Sequence, residues 1–319
     1  MKIKVGIVGY GNLGKAVEEE ILKNKKFKLV AIFSRRIITS KYNSIIEPYD
    51  AFFNYRNKID VMIMCGGSAN DIEIQLPEIA THFDTINSFD THSKLKKLID
   101  QIDKINKDKK TISLSACGWD PGIFSIIRTL IYAISDEKPV SFWGKGISMG
   151  HSDAIRKVYG VNDGVQFTVP NKEAIMLAKK GGLCDCIPLH NRVCFVSCDK
   201  DKQNIIENKI KNIPNYFKGQ PTSINFVSMI QIAKLKSKLS HKGLIVAPFK
   251  LSKNEKAYIE FFAKMDSNPK FTARIMTRFI FAVISLKKDK KFGAYLPIDI
   301  SPSRLILKSE REQVIKNLC

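Results

Sequence analysis

Two acidic side chains, Asp90 and Asp120, follow short apolar runs in the segments "INSFD" and "LSACGWDPG". A side chain at the carboxyl end of a parallel strand lies where open α/β sheets bind their ligands. Two carboxylates at neighbouring strand ends would suit a substrate that carries positive charge, such as an ammonium group. Capping of the helices predicted after His92 and after Pro121 is the alternative role for the two acids.

A glycine-rich motif, Gly9-Tyr10-Gly11-Asn12-Leu13-Gly14, lies between a predicted strand and a predicted helix. The first glycine permits a tight turn, the second lets a pyrophosphate approach the backbone, and the third allows helix and sheet to pack closely. The free N–H groups at the start of the helix would then face the phosphates. The motif predicts a dinucleotide site, with a plain glycine-rich turn as the alternative.

The segment Phe33-Ser34-Arg35-Arg36 follows the second predicted strand. An NAD enzyme carries an acid at this position to bind the ribose hydroxyls. Two guanidiniums and a hydroxyl would instead bind a 2′-phosphate through charge-assisted hydrogen bonds. We therefore predict NADP as the cofactor, and two solvated surface arginines are the alternative.

Alternating strands and helices must position these motifs. Strands are predicted at Lys2–Val8, Phe27–Phe33, Asp60–Met64, Asp84–Phe89 and Thr111–Cys117, and helices at Asn12–Asn24, Asp71–His82 and His92–Asn106. This repetition predicts an α/β fold with a Rossmann-type doubly wound parallel sheet over residues 1–118. After Gly122 an apolar helix is predicted to about Ile134, followed by the strand-like segments "VSFWGKGIS", "GVQFTVP", "RVCFVSC" and "SINFVSM". Residues 119–289 are thus predicted to form a second, α+β region with a mixed or antiparallel sheet.

The composition is that of a globular chain, with 319 residues of which 44% are hydrophobic. A formal net charge of +21 would suit a nucleic-acid partner. The stretch Lys94–Lys110, however, interleaves its lysines with acids and lacks aromatic residues, as a solvated helix face does. We expect no nucleic-acid partner and favour electrostatic steering of small anions.

The seven cysteines are odd in number and irregular in spacing, which argues against a disulfide framework and for a reducing compartment. Cys184-x-Cys186 and Cys194-xxx-Cys198 lack paired CxxC spacing and a well-placed histidine, so no metal site is expected. No apolar stretch approaches the roughly 20 residues of a membrane span, and the N-terminus lacks the features of a secretory signal. We predict a cytoplasmic protein without a membrane partner.

Seven motifs occur in order along the sequence: "VGIVGYGNLGKAVE", "IFSRR", "CGGSANDI", "GWDPGIFSI", "FWGKGISMGHSDAIR", "VQFTVP" and "MDSNPKFTAR". Together they resemble the meso-diaminopimelate dehydrogenase family. The resemblance implies reversible, NADP-dependent oxidative deamination at the D-configured centre of meso-2,6-diaminopimelate. The products would be ammonium and L-2-amino-6-oxopimelate, which cyclises to tetrahydrodipicolinate. The reverse reaction would supply diaminopimelate for lysine and peptidoglycan synthesis.

The resemblance also implies a homodimer. Its second region would serve dimerisation and substrate binding, and the C-terminal segment, about residues 290–319, would pack back on the Rossmann domain. Together with the fingerprint glycines, the implied cofactor contacts are Gly9, Tyr10, Gly11, Asn12, Leu13, Gly14, Ser34, Arg35, Arg36, Cys65, Gly66, Gly67, Ser68, Ser88, Phe89, Asp90, Cys117, Gly118, Trp119, Asp120 and Pro121. The implied substrate contacts are Asp90, Asp120, Trp143, Met149, Gly150, Thr168, Arg192, His241 and Asn268.

The residue types suit a zwitterionic substrate. Arg192 can bind a carboxylate through two hydrogen bonds, with Thr168, His241 and Asn268 as further partners. Asp120, with Asp90 nearby, is the candidate catalytic residue that holds the reacting amine and assists its proton transfers. Trp143 and Met149 would pack the aliphatic chain of the substrate.

Alternatives remain for several of these residues: Trp143 as a core aromatic, Thr168 as an ordinary strand residue, and Arg192 as a surface group. The sequence also departs from the family, which has threonine at the position of Cys117 and a longer loop near His241, so that "HKG" alone supports His241. His82, His92, His151 and His190 are interpreted as structural or surface residues. Two other functions compete: an NADP-dependent reductase of another amino-acid intermediate such as dihydrodipicolinate, and a non-catalytic protein that binds NADP or nucleic acid.

Overall fold

The computed structural model describes residues 2–135, 137–237 and 239–318. Its strands are β1 Ile3–Val8, β2 Phe27–Ser34, β3 Ile46–Pro48, β4 Val61–Met64, β5 Asp84–Asn87, β6 Ile112–Leu114, β7 Val140–Trp143, β8 Gly146–Ile147, β9 Val161–Pro170, β10 His190–Cys198, β11 Thr222–Phe226, β12 His241–Lys250, β13 Lys256–Met265 and β14 Gly293–Tyr295. Its α-helices are α1 Asn12–Lys23, α2 Glu73–Ala80, α3 His92–Lys109, α4 Ile123–Ile134, α5 Met149–Arg156, α6 Lys172–Lys180, α7 Gln203–Lys211, α8 Met229–Lys236, α9 Asn268–Lys288 and α10 Lys308–Leu318.

The chain divides into two compact units. The first contains residues 1–126 and 269–319, and the second contains residues 127–268. The first unit contains one sheet and the second contains two, and each unit has buried hydrophobic clusters of its own.

The first unit is built on a seven-stranded sheet in the order β14-β6-β5-β4-β1-β2-β3. Every strand pair in it is parallel. The strand order reverses between β1 and β4, which is the topological switch point at which doubly wound sheets bind nucleotides. The predicted Rossmann-type sheet is therefore confirmed.

The central strands are buried on both faces, as strands of a parallel sheet covered by helices must be. All four residues of β4 are buried, and so are the last four of β1. Helix α1 buries Val17 and Ile21 against this sheet and leaves its lysines in water. The core of one face includes Phe33, Phe52 and Phe89, each fully enclosed.

The C-terminal part of the chain completes the first unit. Helix α9 buries eleven of its residues, and the ring of Phe281 packs on that of Phe27 with 5.3 Å between centroids. Strand β14 then pairs with β6 at the edge of the sheet. Helix α4 begins in the first unit, and α9 belongs to it except for its first residue, Asn268.

The second unit contains two sheets. One is a mixed sheet in the order β11-β10-β9-β8, in which only β10 and β11 run parallel. The other is an antiparallel sheet in the order β13-β12-β7. The predicted α+β region is thus confirmed, but the long hairpin of β12 and β13 was not among the predicted strands.

The predicted strand "VSFWGKGIS" is interrupted. Gly144 has φ +111°, and a Cβ there would lie 1.9 Å from the carbonyl oxygen of Thr168. Only glycine fits this position, so the chain leaves the antiparallel sheet after Trp143 and enters the mixed sheet at Gly146.

Two further observations bear on the sequence analysis. A disulfide joins Cys184 and Cys186 in the loop before β10, with 5.3 Å between their Cα atoms. It is a local link between near neighbours and not the disulfide framework that the cysteine spacing argued against. In the described part of the chain, no helix combines the length and apolarity that crossing a bilayer requires.

Candidate functional site

The glycine motif forms the turn between β1 and α1. Gly9 has φ +87°, and a Cβ at Gly14 would lie 2.2 Å from the carbonyl oxygen of Gly9. Gly11 occupies the N-cap of α1, where it has no side chain to bond the first-turn N–H groups, and a Cβ at Gly11 would meet nothing within 4 Å. The turn therefore presents helix amides beside open space, which is the arrangement that binds a phosphate.

A cavity of about 590 Å³ lies at this turn. Its walls belong to three strand-end loops and include Gly9, Tyr10, Gly11, Ser34, Arg35, Arg36, Cys65, Gly66, Gly67, Tyr49, Asp71 and Gln75. The first nine of these are predicted cofactor contacts, and the last three are not. The volume and the position at the switch point fit a bound nucleotide.

Asp71 is one of the residues of this cavity, with Tyr49 and Gln75, that were not predicted from the sequence. Its carboxylate forms an ion pair with the guanidinium of Arg35 and accepts a hydrogen bond from the backbone N–H of Gly67 at 2.9 Å. Arg35 is thereby fixed to the loop that follows β4. The only sequence signal was an acid four residues after Gly67 in "GGSAND".

Arg36 is fixed locally by Ser34. The backbone N–H of Arg36 donates to the Ser34 hydroxyl at 3.1 Å, and that hydroxyl donates to the carbonyl oxygen of Arg36 at 2.9 Å. Both guanidiniums belong to exposed residues that line the cavity. Arg35 is thus held at the cavity by Asp71, and the backbone of Arg36 is held there by Ser34.

Asp90 and Asp120 follow β5 and β6, which pair in parallel through Ile86 and Leu114. The backbone N–H of Asp90 donates to the hydroxyl of Ser68 at 3.1 Å. Thr91, not Asp90, is the N-cap residue of α3, so the capping alternative for Asp90 is wrong. Asp90 is exposed and Asp120 is half-buried.

A buried amide ties these two strand ends together. Asn87 donates from Nδ2 to the hydroxyl of Ser115 at 2.9 Å, and its Oδ1 accepts from the backbone N–H of Phe89 at 3.1 Å. Both polar side chains are fully buried. Asn87 therefore fixes the start of the loop that carries Asp90 relative to the strand that leads to Asp120, a role that the sequence did not reveal.

The segment 118–122 is a closed turn. The N–H of Gly118 donates to the carbonyl oxygen of Pro121 at 2.9 Å, and the N–H of Phe124 donates to the carbonyl oxygen of Trp119 at 2.9 Å. Gly122 has φ +143°, and a Cβ there would lie 1.7 Å from the carbonyl oxygen of Gly118. The turn can form only with glycine at 122, and it places Asp120 at its tip.

In the second unit, sheet pairing brings four predicted substrate contacts together. Arg192 of β10 lies opposite Thr168 of β9, which lies opposite Gly146 of β8. The ring of His241 packs on Gly146 so closely that a Cβ there would lie 2.2 Å from it. Trp143 ends the neighbouring strand β7.

Arg192 is the unusual member of this group. Burial lowers its pKa from the ordinary value, and its Nε is buried without a hydrogen-bond partner among the described residues. The side chain as a whole is half-buried. A shielded donor without a partner is costly, and a bound anion would satisfy it.

Two histidines border Arg192, His190 with a buried side chain and His151 with a half-buried one. Burial and the charge of Arg192 lower the pKa of His151 and of His190 to about 4 in each case. The Nε2 of His190 accepts the backbone N–H of Trp143 at 2.7 Å, and its ring stacks on the Trp143 ring with 5.2 Å between centroids. Trp143 is 36% exposed, so it is a supported surface aromatic and not a core residue.

The remaining predicted substrate residues are placed at helix starts. Met149 and Gly150 begin α5, and Met149 is exposed. Asn268 begins α9, and its backbone N–H donates to the carbonyl oxygen of Leu239 at 2.8 Å.

The thiols near the cavity are not nucleophiles. Cys65 and Cys117 are fully enclosed, and burial raises the pKa of both well above the ordinary value, so both stay protonated at neutral pH. The described residues hold no cluster of three or more histidine, cysteine, aspartate or glutamate side chains that could bind a metal ion.

Comparisons with known proteins agree with this geometry. Residues 118–267 match the family model described as the diaminopimelic acid dehydrogenase C-terminal domain. A meso-diaminopimelate D-dehydrogenase of Acetivibrio thermocellus is 40% identical over 98% of this chain and 96% of its own. The solved structure of the Corynebacterium glutamicum DAP dehydrogenase in complex with DAP superimposes with TM-score 0.92 at 32% identity, over 98% of both chains. An engineered D-amino acid dehydrogenase bound to NADP⁺ superimposes with TM-score 0.88 at 30% identity, over 99% of both chains.

Proposed function

The chain belongs to the meso-diaminopimelate D-dehydrogenase family, and from that premise we propose that it catalyses NADP-dependent, reversible oxidative deamination of meso-2,6-diaminopimelate at the D-centre. The products are ammonium and L-2-amino-6-oxopimelate, which cyclises to tetrahydrodipicolinate. In the reverse direction the enzyme supplies diaminopimelate for lysine and peptidoglycan synthesis in the cytoplasm.

The observation that carries the substrate assignment is the environment of Arg192, whose side chain is half-buried and whose Nε is shielded from solvent. Its Nε has no hydrogen-bond partner among the described residues, and Thr168 lies directly opposite on the next strand. A substrate carboxylate would give this cation its missing partner through charge-assisted hydrogen bonds. His241 is the further candidate partner for the same carboxylate, and Asn268 is proposed for the substrate on the family resemblance alone.

Trp143 and Met149 are proposed to pack the aliphatic chain of diaminopimelate. Trp143 suits this role because its ring is exposed on one side and held by His190 on the other. A rigid aromatic surface binds methylene groups at low cost in conformational entropy. Gly150, beside Met149, would let the substrate approach the start of α5.

The cofactor assignment rests on the cavity at the glycine turn. The amides at the start of α1 would bind the pyrophosphate, and Arg35 and Arg36 would bind the 2′-phosphate. The loops that end in Ser68, Asp90 and Pro121 would complete the nucleotide contacts. When bound, NADP accepts the hydride released from the D-centre of the substrate.

Asp120 is proposed as the residue that holds the reacting amine. The closed turn at 118–122 fixes its backbone, so its carboxylate is positioned before the substrate arrives. Its carboxylate accepts a hydrogen bond from the ammonium group. The ammonium group must lose a proton before hydride transfer, and Asp120 relays that proton to water, because a carboxylate is too weak a base to keep a proton taken from an ammonium. Asp90, on the adjacent strand end, adds a second negative charge that favours the cationic substrate.

The test of this function is an NADP reduction assay with meso-, L,L- and D,D-diaminopimelate. We expect turnover of the meso isomer and none of the L,L isomer. Asp120→Asn should lower kcat by about 10²-fold or more, the usual scale of a lost proton-transfer group. Asp108→Asn removes an exposed helix acid and serves as the matched control, with unchanged kcat. Absence of NADPH formation from the meso isomer would refute the proposal, and reverse turnover without ammonium would favour the reductase alternative.

A homodimer is part of the proposal. Leu130, Tyr132 and Ile134 at the end of α4, and Tyr258 and Phe262 on the edge strand β13, are large apolar side chains that remain exposed in the second unit. Exposed apolar groups and an unpaired strand edge are usually covered by a partner. We expect light scattering to give twice the chain mass of 36.1 kDa. Phe262→Lys should shift the protein toward monomer, whereas Phe53→Lys, which changes an exposed aromatic of the first unit, should not.

A further inference from the structure

Helix α1 contains a glutamate that the fold encloses completely. Glu18 is buried among Gly14, Ala16, Val17 and Ile21 on the inner face of the helix. Glutamate is rarely enclosed unless its carboxylate oxygens are satisfied by donors. Both oxygens of Glu18 are satisfied here, each by a different hydroxyl group.

The two hydroxyls come from segments that flank the nucleotide cavity. The Tyr10 hydroxyl donates to Oε2 of Glu18, and the Ser40 hydroxyl donates to Oε1. Tyr10 is the central residue of the Gly9-Tyr10-Gly11 turn and lines the cavity. Ser40 lies four residues after Arg36.

Ser40 is the anchor of an otherwise exposed loop. Residues 35–45 contain no helix or strand, and Ser40 is the one buried residue among them. Its hydroxyl oxygen also accepts the backbone N–H groups of Tyr42 at 3.0 Å and Ser44 at 3.2 Å. The Ser40 side chain thus makes hydrogen bonds within the loop, to Tyr42 and Ser44, and also connects the loop to Glu18.

We propose that Glu18 is a positioning residue for coenzyme selectivity, which acts through Ser40 to hold the segment bearing Arg35 and Arg36 at the nucleotide cavity. The proposal deepens the proposed function and rests on it, since it takes the 2′-phosphate of NADP as the group that the two arginines bind. The ion pair of Arg35 with Asp71 holds the same segment at its other end. The arginines therefore lie between two fixed points, and binding the 2′-phosphate costs little ordering of the loop.

The consequence is a selective effect. NAD and 5′-AMP lack the 2′-phosphate, so their binding does not use the arginine segment. Loss of the Ser40 hydroxyl should therefore weaken the binding of ligands that carry a 2′-phosphate and leave the affinity for ligands without it unchanged. A residue that only stabilised the fold would affect both kinds of ligand equally.

The experiment measures binding of 2′,5′-ADP and 5′-AMP to the full chain by calorimetry. Ser40→Ala should weaken 2′,5′-ADP by roughly tenfold, which corresponds to about 1.4 kcal/mol, and leave 5′-AMP within about twofold. Ser40→Thr keeps a hydroxyl and should restore most of the affinity. Thr39→Ala, an exposed neighbour in the same loop, is the matched control and should bind both ligands as the wild type does.

Glu18→Gln tests the other partner. It should reproduce the selective loss in binding and, in turnover, raise the KM for NADP while leaving kcat unchanged. Equal weakening of both ligands, or no weakening in Ser40→Ala, would overturn the proposal. These results are distinct from failure of the proposed function, which would appear as wild-type protein that binds 2′,5′-ADP yet forms no NADPH from meso-diaminopimelate.

Discussion

The ion pair between Asp84 and Lys287 joins helix α9 to the central sheet, and its removal has a defined cost. Asp84 begins β5 and is 1% exposed, and its Oδ2 lies 2.7 Å from Nζ of Lys287 on α9. Its Oδ1 accepts the backbone N–H of Ile112 at 2.9 Å. Lys287→Met leaves this carboxylate enclosed and without its counter-charge.

The expected loss of unfolding free energy in Lys287→Met follows from how deeply each partner of the ion pair is buried. Breaking a fully buried pair costs about 3–5 kcal/mol because one charge remains uncompensated. The side chain of Lys287 is 51% exposed, so water already screens part of the interaction. We therefore expect Lys287→Met to lower the free energy of unfolding by about 1.5–3 kcal/mol at pH 7.5.

The effect must depend on pH in a definite direction. Burial raises the pKa of Asp84 above its ordinary value, and Lys287 lowers it in part. In Lys287→Met the pKa rises further, so the carboxyl group is protonated at a higher pH than in the wild type. The loss of stability is then full at neutral pH and shrinks as the pH falls through the folded-state pKa of the variant, since a neutral carboxyl group needs no counter-charge.

Urea denaturation followed by circular dichroism, at pH 7.5 and pH 5, measures this difference. The double variant Asp84→Asn/Lys287→Met should be more stable than Lys287→Met alone at pH 7.5, because a neutral amide oxygen still accepts from Ile112. Lys288→Met, at the next position of the helix, is the matched control and should change stability little. A destabilisation that is absent, or equal at the two pH values, would refute the reasoning.

Three further predictions follow from the site. Gly122→Ala should lower turnover by more than about tenfold, because the added Cβ cannot fit beside Gly118 in the turn that carries Asp120. Gly219 has φ +77° and open space around it, so Gly219→Ala is the control and should leave turnover unchanged in the same assay. Asn87→Ala should lower kcat/KM and reduce the free energy of unfolding by about 1–3 kcal/mol, as measured by assay and urea denaturation, because Ser115 and Phe89 lose a buried partner; equal kcat/KM would contradict its positioning role. Because the folded-state pKa values of His151 and His190 are about 4, their ring-proton NMR shifts should stay constant above pH 5.5. The free energy of unfolding should fall as the pH drops from about 6.5 toward 4, since the unfolded chain binds protons that the folded chain does not; titration of either ring near pH 6.5 would contradict the burial.

Features that depend on local sequence were predictable. The glycine turn and the following helix are specified by six consecutive residues, because a positive φ at Gly9 and the close approach of Gly14 exclude other side chains. That the first sheet is parallel and doubly wound follows from the βαβ alternation of the sequence. The position of Arg35 and Arg36 after β2 follows from the same rule.

Features that depend on the pairing of distant segments were not predictable from the sequence. Arg192 and Thr168 meet because β9 and β10 pair in one particular register, and hydrophobic alternation does not identify which polar residues face each other. Strand β13 was missed because its exposed face carries the apolar residues Tyr258 and Phe262, so the alternation of exposed and less exposed positions from Tyr258 to Met265 is not matched by an alternation of polar and apolar residue types. Asp71 and Glu18 reach the cavity only through side-chain contacts across segments, which no spacing rule encodes.

The assembly of the first sheet from both ends of the sequence sets an order for synthesis on the ribosome. Strand β14 and helix α9 pack on strands that emerge far earlier, whereas residues 127–268 form a continuous unit that lies between them in sequence. A continuous segment can fold as soon as it leaves the ribosome, while a unit that needs residues 269–295 must wait for them. The second unit therefore completes its core first during translation, and the sheet that carries the nucleotide cavity closes its edge last.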